Sequence, residues 1–142
     1  MLKIAIGSDH AAFEYKEKIK KFLVSEGYEI EDHGIYENKP IKDYSVAEEV
    51  ALSVSSGKLD RGILLCGTGI GMSISANKIP GSNAALCHDK YTARCAREHN
   101  DSNILVLGAR VISVEMAIEM IGIWLKSEYQ KGRHTPRNRS FK

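Results

Sequence analysis

The chain lacks a hydrophobic run long enough to cross a membrane and a strong excess of charge of either sign, and it has only three cysteines. A bilayer-spanning helix needs roughly 20 consecutive apolar residues, and no stretch approaches that length. The net charge of +2 argues against binding nucleic acid through bulk electrostatics. The cysteines, Cys66, Cys87 and Cys95, are odd in number and lack the CxxC spacing of a metal site. We therefore expect a reduced, cytoplasmic protein with no metal, no membrane partner and no nucleic-acid partner.

What is present fits an ordinary globular domain. Hydrophobic residues make up 43% of the chain and charged residues 27%. A chain of 142 residues fits one domain that buries about two-thirds of its unfolded surface. The first apolar segment turns polar at Ser8, which is too early for a secretion signal and fits a first strand. We expect a single domain over residues 1–142, with a basic tail over about 128–142 that contributes to the site.

Short apolar runs alternate with longer amphipathic segments along the chain. The runs predict five strands: Lys3–Gly7, Glu29–Asp32, Gly62–Cys66, Asn83–Leu86 and Ile104–Gly108. Apolar residues spaced three and four apart predict the intervening helices, the last with Ser113 as its N-cap. Gly27 and Gly57 are placed to end the first two helices. Strands that are each followed by a helix predict a parallel sheet with right-handed crossovers, in a Rossmann-like three-layer α/β/α sandwich.

The segment Cys66–Gly71 carries the strongest functional signal. An apolar run ends in the cysteine, and three glycines then alternate with Thr68 and Ile70 ahead of a helical stretch over 72–77. This pattern places a thiol at the carboxyl end of a parallel strand, where α/β sheets bind ligands. Loop N–H groups can surround an anion there, and a helix N-terminus favours the thiolate. The pattern indicates an enzyme for a small anionic substrate, unless Cys66 is a buried structural cysteine.

Known loop types resemble this segment without matching it. A Walker A loop would need Gly-Lys-Ser/Thr, which is absent. The Gly-x-Gly-x-Gly spacing differs from the GxGxxG of dinucleotide-binding folds, and it follows the third strand rather than the first. A tyrosine-phosphatase loop would place an arginine where this chain has Met72, so the main stabiliser of transition-state charge is missing.

Other polar residues follow strands or end helices. Asp9 and His10 follow the first strand, where they can share proton transfer with a polar substrate, although Asp9 can also simply cap the next helix. His99 ends the fourth predicted helix, whose dipole favours an imidazolium that can donate a proton. The alternative there is a plain helix end with Asn100 in the left-handed conformation. Arg110 follows the fifth strand at the ligand-facing edge.

The tail and the two remaining cysteines leave further alternatives. Arg133 and Arg137, with His134, form a basic set that suits phosphate through the fork geometry of guanidinium groups. The alternative is a solvated basic tail. Cys87 and Cys95 lie in apolar contexts, which favours a structural role for both.

Taken together, these residues resemble the ribose-5-phosphate isomerase B family of sugar-phosphate isomerases. The resemblance rests on four segments in the family's order: Gly7–Ala11, Cys66–Ser73 continuing through Ala76–Lys78, Ala96–Asp101 and Gly132–His134. Any one of them alone would be weak, but four in order are specific, and the match runs nearly end to end. The resemblance implies interconversion of ribose 5-phosphate and ribulose 5-phosphate in the pentose phosphate pathway, without a metal or organic cofactor.

The resemblance also implies a role for each candidate residue. Cys66 would be the general base that moves a proton between C2 and C1 through an enediolate, and His99 would donate the proton that opens the furanose ring. Thr68 and the loop amides would hold the developing oxyanion, while Asp9 assists at the sugar hydroxyls. The implied substrate- and phosphate-binding residues are Asp9, His10, Gly67, Thr68, Gly69, Ile70, Gly71, Asn100, Arg110, Arg133 and Arg137. The family builds its site across a homodimer interface, so Cys66 and His99 of one site are expected from different subunits of a dimer or a dimer of dimers.

The chain departs from the family pattern at positions that bear on the substrate. A subgroup uses a glutamate base at the position of Met72, so retention of Cys66 favours the cysteine chemistry here. Ala12 replaces a frequent glycine, and Ser45 replaces a proline after Tyr44, which loosens a loop that borders the sugar. Allose 6-phosphate and galactose 6-phosphate therefore remain alternative substrates. A non-catalytic module that holds a phosphorylated ligand is the alternative from another class.

Overall fold

A computed structural model describes residues 2–33, 45–132 and 134–141. They form a three-layer α/β/α sandwich around one five-stranded sheet, which confirms the predicted fold class. The strands are β1 (Lys3–Ser8), β2 (Glu29–Asp32), β3 (Arg61–Cys66), β4 (Ala84–Leu86) and β5 (Ile104–Gly108). The helices are α1 (Phe13–Ser25), α2 (Ser45–Ser55), α3 (Ile70–Asn77), α4 (Lys90–Glu98), α5 (Val114–Lys126) and α6 (Thr135–Asn138), and a short 3-10 turn, His10–Ala12, precedes α1. None of the helices in these described ranges is both long and apolar enough to span a bilayer.

The sheet is parallel throughout, with strand order β2-β1-β3-β5-β4. From β1 the chain crosses to β2 on one side, and from β3 it crosses to β4 on the other. The carboxyl ends of β1 and β3 therefore flank the point where the direction of winding changes, which is where open α/β sheets bind ligands. In the register of the central strands, Ser8 pairs with Leu65 and Cys66 pairs with Gly108.

Each face of the sheet has its own hydrophobic core, and the alternation of side chains along β3 feeds both. Ile63 and Leu65 pack with α1, α4 and α5 on one face. Leu64 and Cys66 pack with α2 and α3 on the other. The Cys66 side chain consequently lies on the same side of the sheet as the helix that follows it.

The predicted helix ends are confirmed where a local signal set them. Gly27 and Gly57 adopt φ angles of +89° and +83°, the left-handed region that ends a helix. The Ser113 hydroxyl accepts a hydrogen bond from the Met116 N–H at 3.1 Å and caps α5. Helix α3 begins at Ile70, ahead of the predicted start at residue 72, because Gly69 in the left-handed conformation turns the chain directly into the helix.

Candidate active site

The candidate residues form two groups at opposite edges of the sheet. All strands are parallel, so their carboxyl ends lie together along one edge of the sheet, here called the carboxyl edge. The helices return the chain to the opposite edge, where the strands begin, here called the amino edge. The group at the carboxyl edge comprises Asp9, His10, Cys66, Gly67, Thr68, Gly69, Ile70, Gly71 and Arg110. The group at the amino edge, where α4 ends and α6 packs on it, comprises His99, Asn100 and Arg137. Arg133 and Tyr44 lie outside the described residues.

The length of β5 separates the two groups within one chain. Ile104, at the start of β5, follows His99 closely in sequence, whereas Gly108, at its end, pairs with Cys66. The strand between those ends covers roughly 13 Å at about 3.3 Å per residue. A single protomer therefore does not bring His99 against Cys66.

The sulfur of Cys66 is buried and contacts its own loop. Cys66 is only 4% exposed, and the Gly69 N–H donates a hydrogen bond to its Sγ atom at 3.0 Å. That donor is available because Gly69 adopts φ +84°, a conformation that favours glycine. The loop therefore directs a backbone donor at the sulfur.

The rest of the loop is held by backbone contacts. Thr68 Oγ1 accepts a hydrogen bond from the Ile70 N–H at 3.2 Å, which leaves the hydroxyl proton free to be donated. The Ala109 N–H donates to the Cys66 carbonyl at 2.8 Å, and the Arg110 N–H donates to the Gly67 carbonyl at 2.9 Å. These bonds fasten the loop to the end of β5.

Positive charge and polar groups surround this loop. The Arg110 guanidinium lies over Gly67, since a Cβ atom built on that glycine would be 3.3 Å from Nη1. Asp9 caps the 3-10 turn by accepting from the Ala12 N–H at 3.1 Å, as the capping alternative predicted, and its second carboxylate oxygen is not used by that bond. His10 Nδ1 is buried and has no hydrogen-bond partner in the part of the chain that the structure describes. The arrangement suits a small, negatively charged, hydroxylated ligand.

At the amino edge, His99 lines a cleft of about 650 Å³. Its ring stacks on that of His134, with centroids 4.2 Å apart and planes inclined by 20°. Arg137 Nη2 lies 3.1 Å from His134 Nδ1. Because a guanidinium only donates, this Nδ1 accepts, and the neutral ring therefore carries its proton on Nε2. The cleft thus offers one imidazole held face to face with another, beside an arginine and the side chain of Asn100.

The end of α4 corrects the expectation for Asn100. The left-handed residue is Asp101, at φ +53°, and not Asn100. Arg97, which is 5% exposed, donates from Nη1 to the Asp101 carboxylate at 2.9 Å and to the Ser102 carbonyl at 2.6 Å. This ion pair one turn apart holds Asp101 in a conformation that aspartate tolerates better than most residues. The turn that follows His99 is therefore fixed by a buried arginine.

The close approach of Gly108 to the loop leads to a prediction about catalysis. A Cβ atom at Gly108 would lie 2.6 Å from the Thr68 carbonyl oxygen, so Gly108→Ala must displace the loop backbone. We expect activity to fall on the order of 100-fold, as displacements near 1 Å in an active site do. Gly122→Ala is the matched control, because the added Cβ would contact only Phe22, at 3.9 Å. Replacing this helical glycine by alanine should stabilise α5 by about 0.5–1 kcal/mol. Steady-state kinetics and thermal unfolding of both variants check this, and equal activities would contradict it.

The second cysteine should be chemically inert. Cys87 is 3% exposed, and burial raises the pKa of its thiol to about 11, so only about a thousandth is thiolate at pH 8. We expect no alkylation of Cys87 by iodoacetamide at pH 8 in the folded protein, measured by mass spectrometry of its peptide. Protein unfolded in guanidinium chloride is the control and should be alkylated there. Rapid labelling of folded protein would show that the sulfur is accessible.

Comparison with known proteins is consistent with this architecture over nearly the whole chain. Residues 4–141 match the sequence model of the ribose/galactose isomerase family. Ribose-5-phosphate isomerase B of Escherichia coli strain K12 is 43% identical over 137 residues, which cover 96% of this chain and 92% of that protein. D-erythrulose-4-phosphate isomerase of Pectobacterium atrosepticum is 46% identical over 140 residues, with 96% and 91% covered.

A solved structure agrees with the fold. Ribose-5-phosphate isomerase B of Clostridium thermocellum superposes with a TM-score of 0.95 at 48% identity, covering 97% of this chain and 93% of that chain. The loop at the carboxyl edge, the parallel sheet that presents it and these end-to-end matches together show that the chain belongs to the ribose/galactose isomerase family.

Proposed function

We propose that the chain is an aldose–ketose isomerase that interconverts D-ribose 5-phosphate and D-ribulose 5-phosphate. The observation that carries this proposal is the Cys66 sulfur at the winding reversal of the sheet, with the Gly69 N–H directed at it from 3.0 Å. A base held in a loop of backbone donors suits proton abstraction next to a carbonyl group. The names of the Escherichia coli and Clostridium thermocellum relatives support a five-carbon sugar phosphate as the substrate.

The proposed proton transfer takes place at the carboxyl edge. The Cys66 thiolate removes the proton from C2 of the open-chain aldose, and the electron pair moves onto the C1 carbonyl oxygen to form an enediolate. The N–H groups of the loop and the Thr68 hydroxyl hold the negative charge that develops on this oxygen. The proton of the C2 hydroxyl passes to the C1 oxygen, and Cys66 returns its own proton to C1 as the carbonyl forms at C2, so that the thiolate is regenerated. Asp9 holds sugar hydroxyls during these steps.

Ring opening is assigned to the amino edge. His99 donates a proton to the ring oxygen of the furanose, which breaks the bond between C1 and the ring oxygen, and the C1 hydroxyl releases its proton to water as the aldehyde forms. Arg137 provides a guanidinium for the phosphate in the same cleft, and Asn100 binds the sugar. His10 and Arg110 add a polar and a cationic group at the carboxyl edge, and Arg133 is proposed to join them at the phosphate.

These two steps require a second copy of the chain. His99 and Cys66 of one protomer lie at opposite edges of the sheet, so a complete site needs the amino edge of one protomer against the carboxyl edge of another. A two-fold symmetric homodimer makes two such sites at once. The surface of α3 beside the loop fits an interface, because Ile70 and Ile74 occur four residues apart and are 54% and 56% exposed. Such dimers can pair further into tetramers.

Incubation with ribose 5-phosphate in deuterated water, followed by NMR, tests the proposed reaction. Ketose should form, and deuterium should enter the sugar at C1 or C2 because the enediolate exchanges its proton with solvent. Phosphate-ligand binding without ketose and without deuterium would instead show a non-catalytic binding module. If ribose 5-phosphate does not react but another sugar phosphate does, the substrate assignment would be wrong and the proposed proton-transfer chemistry would stand.

The substrate series should vary the length of the sugar. The Pectobacterium relative is named for a four-carbon ketose phosphate at 46% identity, and the family description includes galactose. Erythrulose 4-phosphate, ribose 5-phosphate, allose 6-phosphate and galactose 6-phosphate are the compounds to compare by kcat/KM.

A further inference from the structure

A network of hydrogen bonds in the tail has Asn138 at its centre. Asn138 Nδ2 donates to the His99 carbonyl at 2.7 Å and to the Tyr129 hydroxyl at 2.9 Å. Its Oδ1 accepts from Asn100 Nδ2 at 3.1 Å. One tail side chain therefore holds the backbone of His99 and the side chain of the residue after it.

The polarity of this network follows from groups that have only one role. The His99 carbonyl can only accept, so Asn138 must present its NH2 group to it and its oxygen to Asn100. Asn100 must then present its own NH2 group, which leaves its Oδ1 available to accept from a ligand hydroxyl. The Tyr129 hydroxyl accepts from Asn138 Nδ2, which can only donate, and it also shares a hydrogen bond with Thr135 Oγ1 at 3.0 Å.

The far end of the network fits the same assignment. Thr135 Oγ1 also accepts from the Gly132 N–H at 3.2 Å, and a backbone N–H can only donate. Two backbone groups, the His99 carbonyl as an acceptor and the Gly132 N–H as a donor, therefore anchor the two ends of the network. The backbone N–H of Asn138 also donates to the His134 carbonyl at 3.0 Å, which ties it to the ring that stacks on His99.

We propose that Asn138 is a positioning residue for ring opening, acting through His99 and Asn100. Its side chain fixes the His99 backbone from which the stacked imidazole extends, and it orients the Asn100 amide so that its oxygen faces sugar hydroxyls rather than phosphate. Asn138 contacts the carbonyl and not the ring of His99, so its effect on the reaction is indirect. This inference rests on the proposed isomerase function and assigns a determinant within that site.

The test separates ring opening from proton transfer. Ribulose 5-phosphate cannot close a furanose ring because its O5 is esterified, so exchange of its C1 proton with deuterated water needs Cys66 but no ring opening. We expect Asn138→Ala to lower kcat for ribose 5-phosphate about tenfold. Exchange at C1 of saturating ribulose 5-phosphate should stay within about twofold of the unsubstituted protein.

Gln130→Ala is the control, since it removes a side-chain amide from the same tail, although Gln130 is exposed and Asn138 is half-buried. Its side chain has no hydrogen-bond partner among residues 2–33, 45–132 and 134–141, and its backbone N–H bond to the Glu98 carbonyl at 2.8 Å is kept. Gln130→Ala should leave both rates unchanged. A merely structural role for Asn138, through loosening of the tail and of Arg137, would raise KM and leave kcat alone.

A second variant covers the case in which Asn138→Ala does not fold. Asn138→Asp keeps the shape and the acceptor for Asn100 but loses the donor to the His99 carbonyl, so the same selective loss in kcat is expected. If the rates of isomerisation and of C1 exchange fall equally, or if neither rate changes, the proposal is overturned. Absence of isomerisation in the unsubstituted protein would instead overturn the proposed function.

Discussion

Cys66→Ala is expected to lower turnover of ribose 5-phosphate by about a thousandfold or more, within the range that a general base contributes. The thiol is 4% exposed and receives its hydrogen bond from the loop, so water has little room to replace it as the base. Binding of a phosphate ligand should survive, because the arginines and loop amides proposed to bind it are unchanged. NMR in deuterated water measures the loss of exchange, and calorimetry with a non-reacting sugar phosphate measures the binding.

Two further variants define what such a loss would mean. Cys66→Ser keeps the shape of the side chain but has a far weaker base, so it should be nearly as inactive as alanine. Cys95→Ala removes a half-buried thiol on α4 and should keep full activity. Wild-type turnover by Cys66→Ala would contradict the assignment of the thiol as the base.

The parts of the molecule that the sequence predicted are those set by local periodicity and turn chemistry. Strand β3 was predicted from an apolar run, and glycines marked the turns, because both signals act within a few residues. The position of Cys66 at the carboxyl end of β3 followed from the same pattern. What the pattern could not supply was the bond from the Gly69 N–H to the sulfur, which depends on the left-handed φ angle at that glycine.

The amino-edge group depended on contacts that no local signal contains. Asn100 was a reasonable left-handed residue by type, yet the pairing of Arg97 with Asp101 moves that conformation one residue along. The stacking of His134 on His99 joins positions far apart in the chain. Asn138 had no signal at all, because an asparagine in a basic tail acquires a role only when the tail folds back onto α4.

The two groups at opposite edges also explain how one fold can carry both steps of the reaction. A parallel α/β sheet presents its ligand-binding loops at the carboxyl edge. A side chain at the end of a helix, such as His99, therefore lies at the opposite edge from the Cys66 loop of the same chain. The self-association proposed above would resolve this without any change in the fold. In the proposed homodimer the proton-transfer base and the ring-opening acid come from different protomers, and each of the two sites uses one group from each chain.

Mixing two inactive variants should restore activity. Cys66→Ala and His99→Ala homodimers each lack one group in both sites, whereas a hybrid dimer has one site with both groups intact. Random reassortment of equal amounts makes about half of the dimers hybrids, so about a quarter of the unsubstituted activity should return. The variants are mixed, unfolded and refolded together, and turnover of ribose 5-phosphate is measured before and after.

The matched control replaces one partner with the double variant Cys66→Ala/His99→Ala. Its hybrid with Cys66→Ala has no intact thiol, so refolding that mixture should restore nothing. A site contained within one chain would give no recovery with either mixture, because each protomer would keep its own defect. Recovery confined to the complementing pair would mean that Cys66 of one protomer works with His99 of the other, as proposed from the separation of the two residues along β5.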